Sequence, residues 1–389
     1  MQLHLVSPGI ASSAGHDKIV ELLARAVSSE TPVARDTLSV RTGLGTSRLA
    51  WDAIEAGKLA LAVLDDLPGV GGVVGWGFGQ GAASARRCGP LSSVLTRAYR
   101  ARLDALDRAS GPRRIVSSHY LALYDRPPDW PVTLVGPDIL AQPSVATIEG
   151  DRTVLSPSRA YTDGLLQAGF ALDEIIEVGP VVPRELLAAA AARRELVDAP
   201  PAALVAVGGS APEAAEILKV VAALGERGIA AHVLVGDGRP HARRLRSRLE
   251  TMDGVRVYGG EVGQTRADEL SLFAELLARP ELRLWISRPN EGAVLSRALG
   301  FELWLLEPYQ SHEARARQVL LDHGGLDVAE GLARGLYGPL EEDGLVFSAV
   351  AADAFPSVEV ALGSMPTLSP RSASKPPKVT AAAATQVVR

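Results

Sequence analysis

With 389 residues the chain exceeds one ordinary core at about 150 residues per domain, so two domains are expected. It is 47% hydrophobic and 5% aromatic with a net charge of −5 and both signs interspersed, which excludes a disordered chain and argues against nucleic acid as a partner. The single cysteine, Cys88, excludes an intramolecular disulfide framework and a thiolate metal cluster, and agrees with a reducing compartment.

The N-terminal MQLHLVSPGIASSAGH has neither a basic start nor a long apolar run, so it reads as a first strand and a cytoplasmic location is expected. No stretch reaches the roughly 20 apolar residues of a spanning helix; the nearest, 69–83, is Gly-rich and holds Gln80. Along the chain, short apolar runs end in Gly or Ser and lead into amphipathic stretches, the rhythm of parallel βα units. The first unit is LHLVS (3–7), a small-residue loop, and a helix over 16–29 with Ile19, Leu22, Leu23 and Val27 at helical spacing. RIVSS (114–118), VTLVG (132–136), RTVLS (152–156) and 175–178 continue the strands of the first half.

The Pro-rich RELVDAPP marks a junction, and a second series follows it. Strands are expected at 203–210, 230–238, 255–260, 282–288 and 301–308, with helices over 211–227, 241–251, 291–299 and 312–323. The reading is thus an α/β chain with an N-terminal domain over 1–182, a linker over 183–200, a second domain over 201–362 and a disordered Pro/Ser/Lys/Ala tail over 366–389.

Open α/β sheets bind ligands beyond the carboxyl ends of their strands, which puts chemistry in the loops there. Ser12-Ser13-Ala14-Gly15-His16 opens a helix; its backbone N–H groups suit an anion or a sugar oxygen, and His16 titrates in the range of a general base. Ser13, Gly15 and His119, the last following RIVSS, are acceptor-side candidates, with Asp138 a further polar loop end. In the second half Gly208-Gly209-Ser210 precedes a helix and suits a phosphate, although it lacks the dinucleotide fingerprint. Arg288 can pair with a diphosphate, Asn290 stands beside it, and Glu291 can accept from vicinal hydroxyls. His312 and Glu313 open the next helix and can bond a sugar. Structural roles stay open at each position: His16 as a cap, Glu291 as complement to the helix dipole, Ser311 as N-cap. The chain has no GxSxG elbow, and its histidines are scattered singly, so neither a serine hydrolase nor a metal site is read.

The loops SSAGH (12–16) and GGS (208–210), the segment 154–182 and the block SRPNEGAVLSRALGFELWLLEPYQSHEARARQVLLDHGG (287–325) together resemble GT-B glycosyltransferases. The branch is that of the peptidoglycan N-acetylglucosaminyltransferase and the diacylglycerol glycosyltransferases. The likeness covers roughly 1–335. It implies two Rossmann-like domains with mainly parallel sheets facing a cleft, a nucleotide-sugar donor, inverting transfer and no cofactor. It also implies His16 as the acceptor-activating base, Ser210 and its glycines at the diphosphate, Glu291 at the ribose or base side, and His312 with Glu313 near the sugar. The block departs from the family where Arg288-Pro289-Asn290 replaces a Gly-rich donor loop and where Leu295 or Ser296 stands in place of a ribose-binding Glu.

The acceptor, lipid-linked or a small molecule, is expected on the first half. There Trp76 and Phe78 among glycines, followed by Arg86, Arg87, Arg97, Arg100 and Arg102, offer an apolar and basic face for peripheral membrane contact through 69–103, at the inner face of the membrane. A Gly-rich loop before an exposed helix is the plainer reading of that stretch. Two other functions stay in view: a nucleotide-sugar epimerase or hydrolase on the same fold, and a non-catalytic nucleotide-sugar binder.

Overall fold

In a parallel sheet both faces are covered by crossover helices, so its strands are short and apolar throughout, and the runs picked out above have that character. The computed structural model describes residues 3–7, 19–20, 22–24, 33–37, 90–194 apart from 125, 128, 142–144 and 147, 202–207, 213–235, 240–259, 266–308, 311–334 apart from 323 and 324, and 350–351. Among them the first half holds β1 (Leu3–Ser7), β2 (Val33–Thr37), α1 (Pro90–Ser110), β3 (Arg114–Ser117), α2 (Leu121–Tyr124), β4 (Val132–Val135), β5 (Arg152–Ser156), α3 (Arg159–Gln167) and β6 (Ile175–Glu177). The strands lie in the order β2-β1-β3-β4-β5-β6, and every pairing is parallel. Central β3 and β4 are buried along their whole length, whereas the outermost β2, VARDT, carries Arg35 and Asp36, as edge strands do.

After β7 (Val181–Val182) and α4 (Arg184–Arg194) comes a second sheet. Its elements are β8 (Ala202–Val207), α5 (Glu213–Gly225), β9 (Ala230–Val235), α6 (Pro240–Leu249), β10 (Val255–Tyr258), α7 (Arg266–Leu277), β11 (Leu282–Ser287), α8 (Glu291–Ala298), β12 (Glu302–Leu305), α9 (Ser311–Asp322), β13 (Leu326–Asp327) and α10 (Val328–Arg334). The order β10-β9-β8-β11-β12-β13 is again parallel throughout. A last strand, β14 (Val350–Ala351), pairs with β7.

Much of the stretch read as a linker is therefore helix. Leu186 and Ala190 of α4 are buried with Leu276 and Leu277 of α7, and Ile139 from the loop after β4 joins the same cluster. Among the described residues no helix is long and apolar enough to cross a membrane. Of the stretch 69–103, only 90–103 lies within the described residues.

Two buried groups give testable consequences. Trp304 of β12 is fully buried and its Nε1 donates to Glu302 Oε1 at 2.8 Å. Gly331 of α10 lies against the indole, where a Cβ would overlap Cε2 and Cδ2. Alanine is favoured over glycine in a helix by about 1 kcal/mol, yet here it must displace the ring, and overpacking costs roughly 1–3 kcal/mol. Gly331→Ala is expected to lower the urea midpoint; a higher midpoint would mean that the indole moves aside freely.

His232 of β9 is buried, stacks on Tyr258 with ring centroids 5.6 Å apart, and has its Nδ1 3.0 Å from the Tyr258 hydroxyl. Burial first, and then the nearby Arg279, push its pKa down to about 4 from 6.5, with Glu281 opposing and Arg256 adding to the effect. The neutral ring is the form that the fold accommodates, so the unfolded chain takes up the proton first as pH falls. This part of the stability is fully present above 6.5 and is lost as pH drops from there toward 4. For one proton the decline is at most about 1.4 kcal/mol per pH step of one. Denaturant titrations at stepped pH should show that decline in the native chain and a flatter one in His232→Gln.

Candidate functional site

In the second sheet β8 has β9 on one side and β11 on the other, so the winding reverses at β8 and a crevice opens beyond its carboxyl end. The helices α5, α8 and α9, following β8, β11 and β12, all begin at this edge. The peptide dipole of a helix places positive potential at its N-terminus, so helix starts gathered at this edge favour an anion.

The start of α8 is built tightly. Asn290 caps it, accepting from the Gly292 N–H through Oδ1 at 3.0 Å, and its own N–H donates to the Arg288 carbonyl at 2.8 Å. Ser287 Oγ donates to the same carbonyl at 3.1 Å. A Cβ on Gly292 would come within 3.3 Å of Asn290 Oδ1 and 3.4 Å of Ser287 Oγ, so the first turn closes onto the strand end. Glu291 is half-buried in that turn, where its charge meets the positive end of the helix.

Arg288 and Glu313 are only 8% and 3% exposed, and the Arg288 Nη2 donates to Glu313 Oε1. This buried ion pair fastens the loop after β11 to the first turn of α9. Next to it the Glu307 N–H, at the end of β12, donates to Glu216 Oε1 of α5 at 2.9 Å. Arg317 of α9 lies 3.6 Å from Glu307 Oε1 and 2.5 Å from Asp327 Oδ1. The three helix starts are thus held to one another by charged groups around the crevice.

At the carboxyl edge of the first sheet, Ser117 Oγ donates to the Val6 carbonyl at 2.8 Å and accepts the His119 N–H at 3.1 Å. The His119 ring stacks on Tyr120 with centroids 4.7 Å apart. Beside them Asp138 follows β4, and a small open hollow lies between the two loops, floored by Tyr161 of α3. Burial first, and then the Asp138 charge, raise the Tyr161 phenol above its ordinary range, so it stays protonated and a donor.

Of the residues singled out in the sequence, Arg288, Asn290, Glu291 and Glu313 are brought together at the second sheet, and His119 stands at the first. Ser13, Gly15, His16, Gly208, Gly209 and Ser210 lie outside the described residues. His312 belongs to the first turn of α9, and its side chain is likewise outside them. Glu216 and Tyr161 were not foreseen: Glu216, in the first turn of α5, carries no local mark, and Tyr161 is an ordinary buried helix position until the fold sets it under Asp138. Among the described residues no group of three or more His, Cys, Asp or Glu could hold a metal ion.

No protein-family model matches the chain, and no curated protein sequence matches it. In three dimensions it is similar to the UDP-GlcNAc 2-epimerase of Methanocaldococcus jannaschii in complex with UDP-GlcNAc and UDP, with a TM-score of 0.52 and 9% identity over 94% of this chain and 100% of that one. The fold is GT-B. Other GT-B proteins superpose with lower scores. The spinosyn rhamnosyltransferase SpnG complexed with thymidine diphosphate gives 0.48 at 17% identity over 84% and 86% of the two chains. MurG of Acinetobacter baumannii gives 0.46 at 12% over 84% of each.

Removing one partner of a buried ion pair strands the other charge, at a cost of about 3–5 kcal/mol. Arg288→Ala is therefore expected to lose stability on that scale in urea unfolding, and Arg288→Met with Glu313→Leu to recover most of it. A double variant no better than the single one would show that the stranded charge is not the cause. Asn290→Ala, which removes only the cap, is expected to cost about 1 kcal/mol.

Proposed function

We propose that this GT-B chain is a glycosyltransferase that moves a sugar from a nucleoside-diphosphate donor, UDP-linked, to an acceptor hydroxyl with inversion at the anomeric carbon. The observation that carries the reading is the convergence of the α5, α8 and α9 starts on the reversal point of the second sheet, a positively polarised crevice suited to a diphosphate. Of the segments that resemble the N-acetylglucosaminyltransferase and diacylglycerol glycosyltransferase branch, the block 287–325 spans the ends of β11 and β12 and the starts of α8 and α9.

In this reading the second domain, 201–362, holds the donor and the first, 1–182, the acceptor, with 183–200 between them and the tail over 366–389 outside both. Gly208, Gly209 and Ser210 cradle the diphosphate from the start of α5, and Glu291 accepts from the ribose hydroxyls. His312 faces the sugar. Because Glu313 is already engaged by Arg288, this pair holds the helix starts in place, and the helix ends supply most of the potential that the leaving group needs. His16 takes the proton of the acceptor hydroxyl as its oxygen bonds to the anomeric carbon. The bond from that carbon to the phosphate oxygen breaks, and the nucleoside diphosphate leaves with the electron pair. Closure of the domains excludes water from the exchange. No cofactor or metal is required. A lipid-linked acceptor would be reached through 69–103 at the cytoplasmic face of a membrane.

The test is a thermal-shift series of the purified chain with UDP, GDP, dTDP and ADP, followed by turnover of the matching sugar nucleotides. A selective rise with UDP is expected, weakened about tenfold in affinity by Glu291→Ala, the loss of roughly 1.4 kcal/mol. In His16→Ala the rise is retained and turnover is lost. No shift with any diphosphate sinks the reading, and epimerisation of UDP-GlcNAc without an acceptor replaces it with an epimerase.

A further inference from the structure

At the end of β12 two successive backbone amides go to different neighbours. The Leu306 N–H donates to the Ser287 carbonyl at 3.0 Å, which completes the pairing of β12 with β11. The next amide, that of Glu307, donates to Glu216 Oε1 on α5 at 2.9 Å. The core beneath sets this partner. Leu306 and Ile217 are both fully buried and belong to one apolar cluster, so α5 is seated against the end of β12. The residue before Ile217 then lies beside the residue after Leu306. The Glu307 side chain takes no part in this bond: it is 74% exposed and lies 3.6 Å from Arg317 of α9.

An exposed amide at this point would be satisfied by water, so the strand end does not need Glu216 for its hydrogen bonding. What a side-chain acceptor adds over water is a fixed direction. The segment 307–313, which leads into α9, is thereby held at both ends. Its first residue is tied to α5 through Glu216, and Glu313 is tied to the loop after β11 through Arg288. The approach to α9 is fixed relative to the other two helices that border the crevice.

The residue type runs against simple electrostatics. A carboxylate beside a crevice that favours an anion repels that anion. Complementing the dipole at the start of α5 is one role for its charge. Holding the β12–α9 connection in place is another, and the two predict opposite signs when the side chain is removed. Without a positioning role, loss of the negative charge tightens a bound diphosphate; with one, loss of the acceptor oxygen weakens it.

We infer that Glu216 is a positioning residue for the donor. Through the Glu307 amide it sets the place of the β12–α9 connection, and with it the α9 start and the turn that carries His312, without itself touching the nucleotide. The inference rests on the reading of this crevice as the donor site.

The experiment is calorimetric titration of the full chain with UDP, on the native protein, Glu216→Ala and Glu216→Gln. Hydrogen exchange of the peptide spanning Glu307, followed by mass spectrometry, and the urea midpoint are measured on the same samples. Glu216→Ala is expected to weaken UDP roughly fivefold, the scale of one hydrogen bond, and to speed exchange at Glu307 while the urea midpoint holds. Glu216→Gln, which keeps an acceptor oxygen and loses the charge, is expected to bind UDP at least as tightly as the native chain and to restore slow exchange. Native or tighter binding in Glu216→Ala overturns the inference, as does a Glu216→Gln as weak as the alanine variant. Weaker binding with a lowered urea midpoint and faster exchange along the whole chain means a purely structural role and overturns it too. In each of these cases the native chain still binds UDP and the functional reading stands; if the native chain binds no UDP, that reading falls and the inference with it.

Discussion

Every pairing within the two six-stranded sheets is parallel, and that single constraint organises the rest of the molecule. A parallel neighbour can be reached only by carrying the chain back across the sheet, so each helix that follows a strand starts at the same edge. Polar loops, helix N-termini and glycine turns are thereby gathered at that edge whatever the protein does with them. Where the winding reverses, at β8 in the second sheet and at β1 in the first, the flanking connections leave in opposite directions and a gap opens. The reversal at β8 gives the place of the second-sheet candidate site, whereas the hollow of the first sheet lies beyond β3 and β4, to one side of the reversal at β1.

Side chains then decide what the gaps can hold. At the second sheet the only buried opposite charges described at the crevice, Arg288 and Glu313, are joined to each other. A neutral pair fixes geometry without adding a strong net field, which leaves attraction for an anion to the backbone dipoles. At the first sheet Asp138 shares its hollow with His119, Tyr120 and Tyr161.

The sequence made the central strands legible because burial on both faces leaves little choice but apolar residues: LHLVS and RTVLS fall on β1 and β5 without displacement. β2 was not legible, since an edge strand admits Arg35 and Asp36 and so loses the apolar signature. α7 was missed because Leu270 and Leu272 stand two apart and blur the helical spacing, and α4 because its run of alanines has propensity without contrast between faces. Arg288 and Glu313 were readable as strand-end and helix-start residues. Their union was not, since they lie 25 positions apart and nothing local records the contact. Asp138 was visible as a polar loop end, but Tyr161 gained meaning only when α3 was placed beneath it.

The short strand β14 returns from the far end of the second half to lie beside β7, just before α4 leaves the first. The second half is therefore joined to the first at two points, through α4 and through the pairing of β14 with β7. A single tether would leave one body free to swivel on the other. Two adjacent tethers remove part of that freedom.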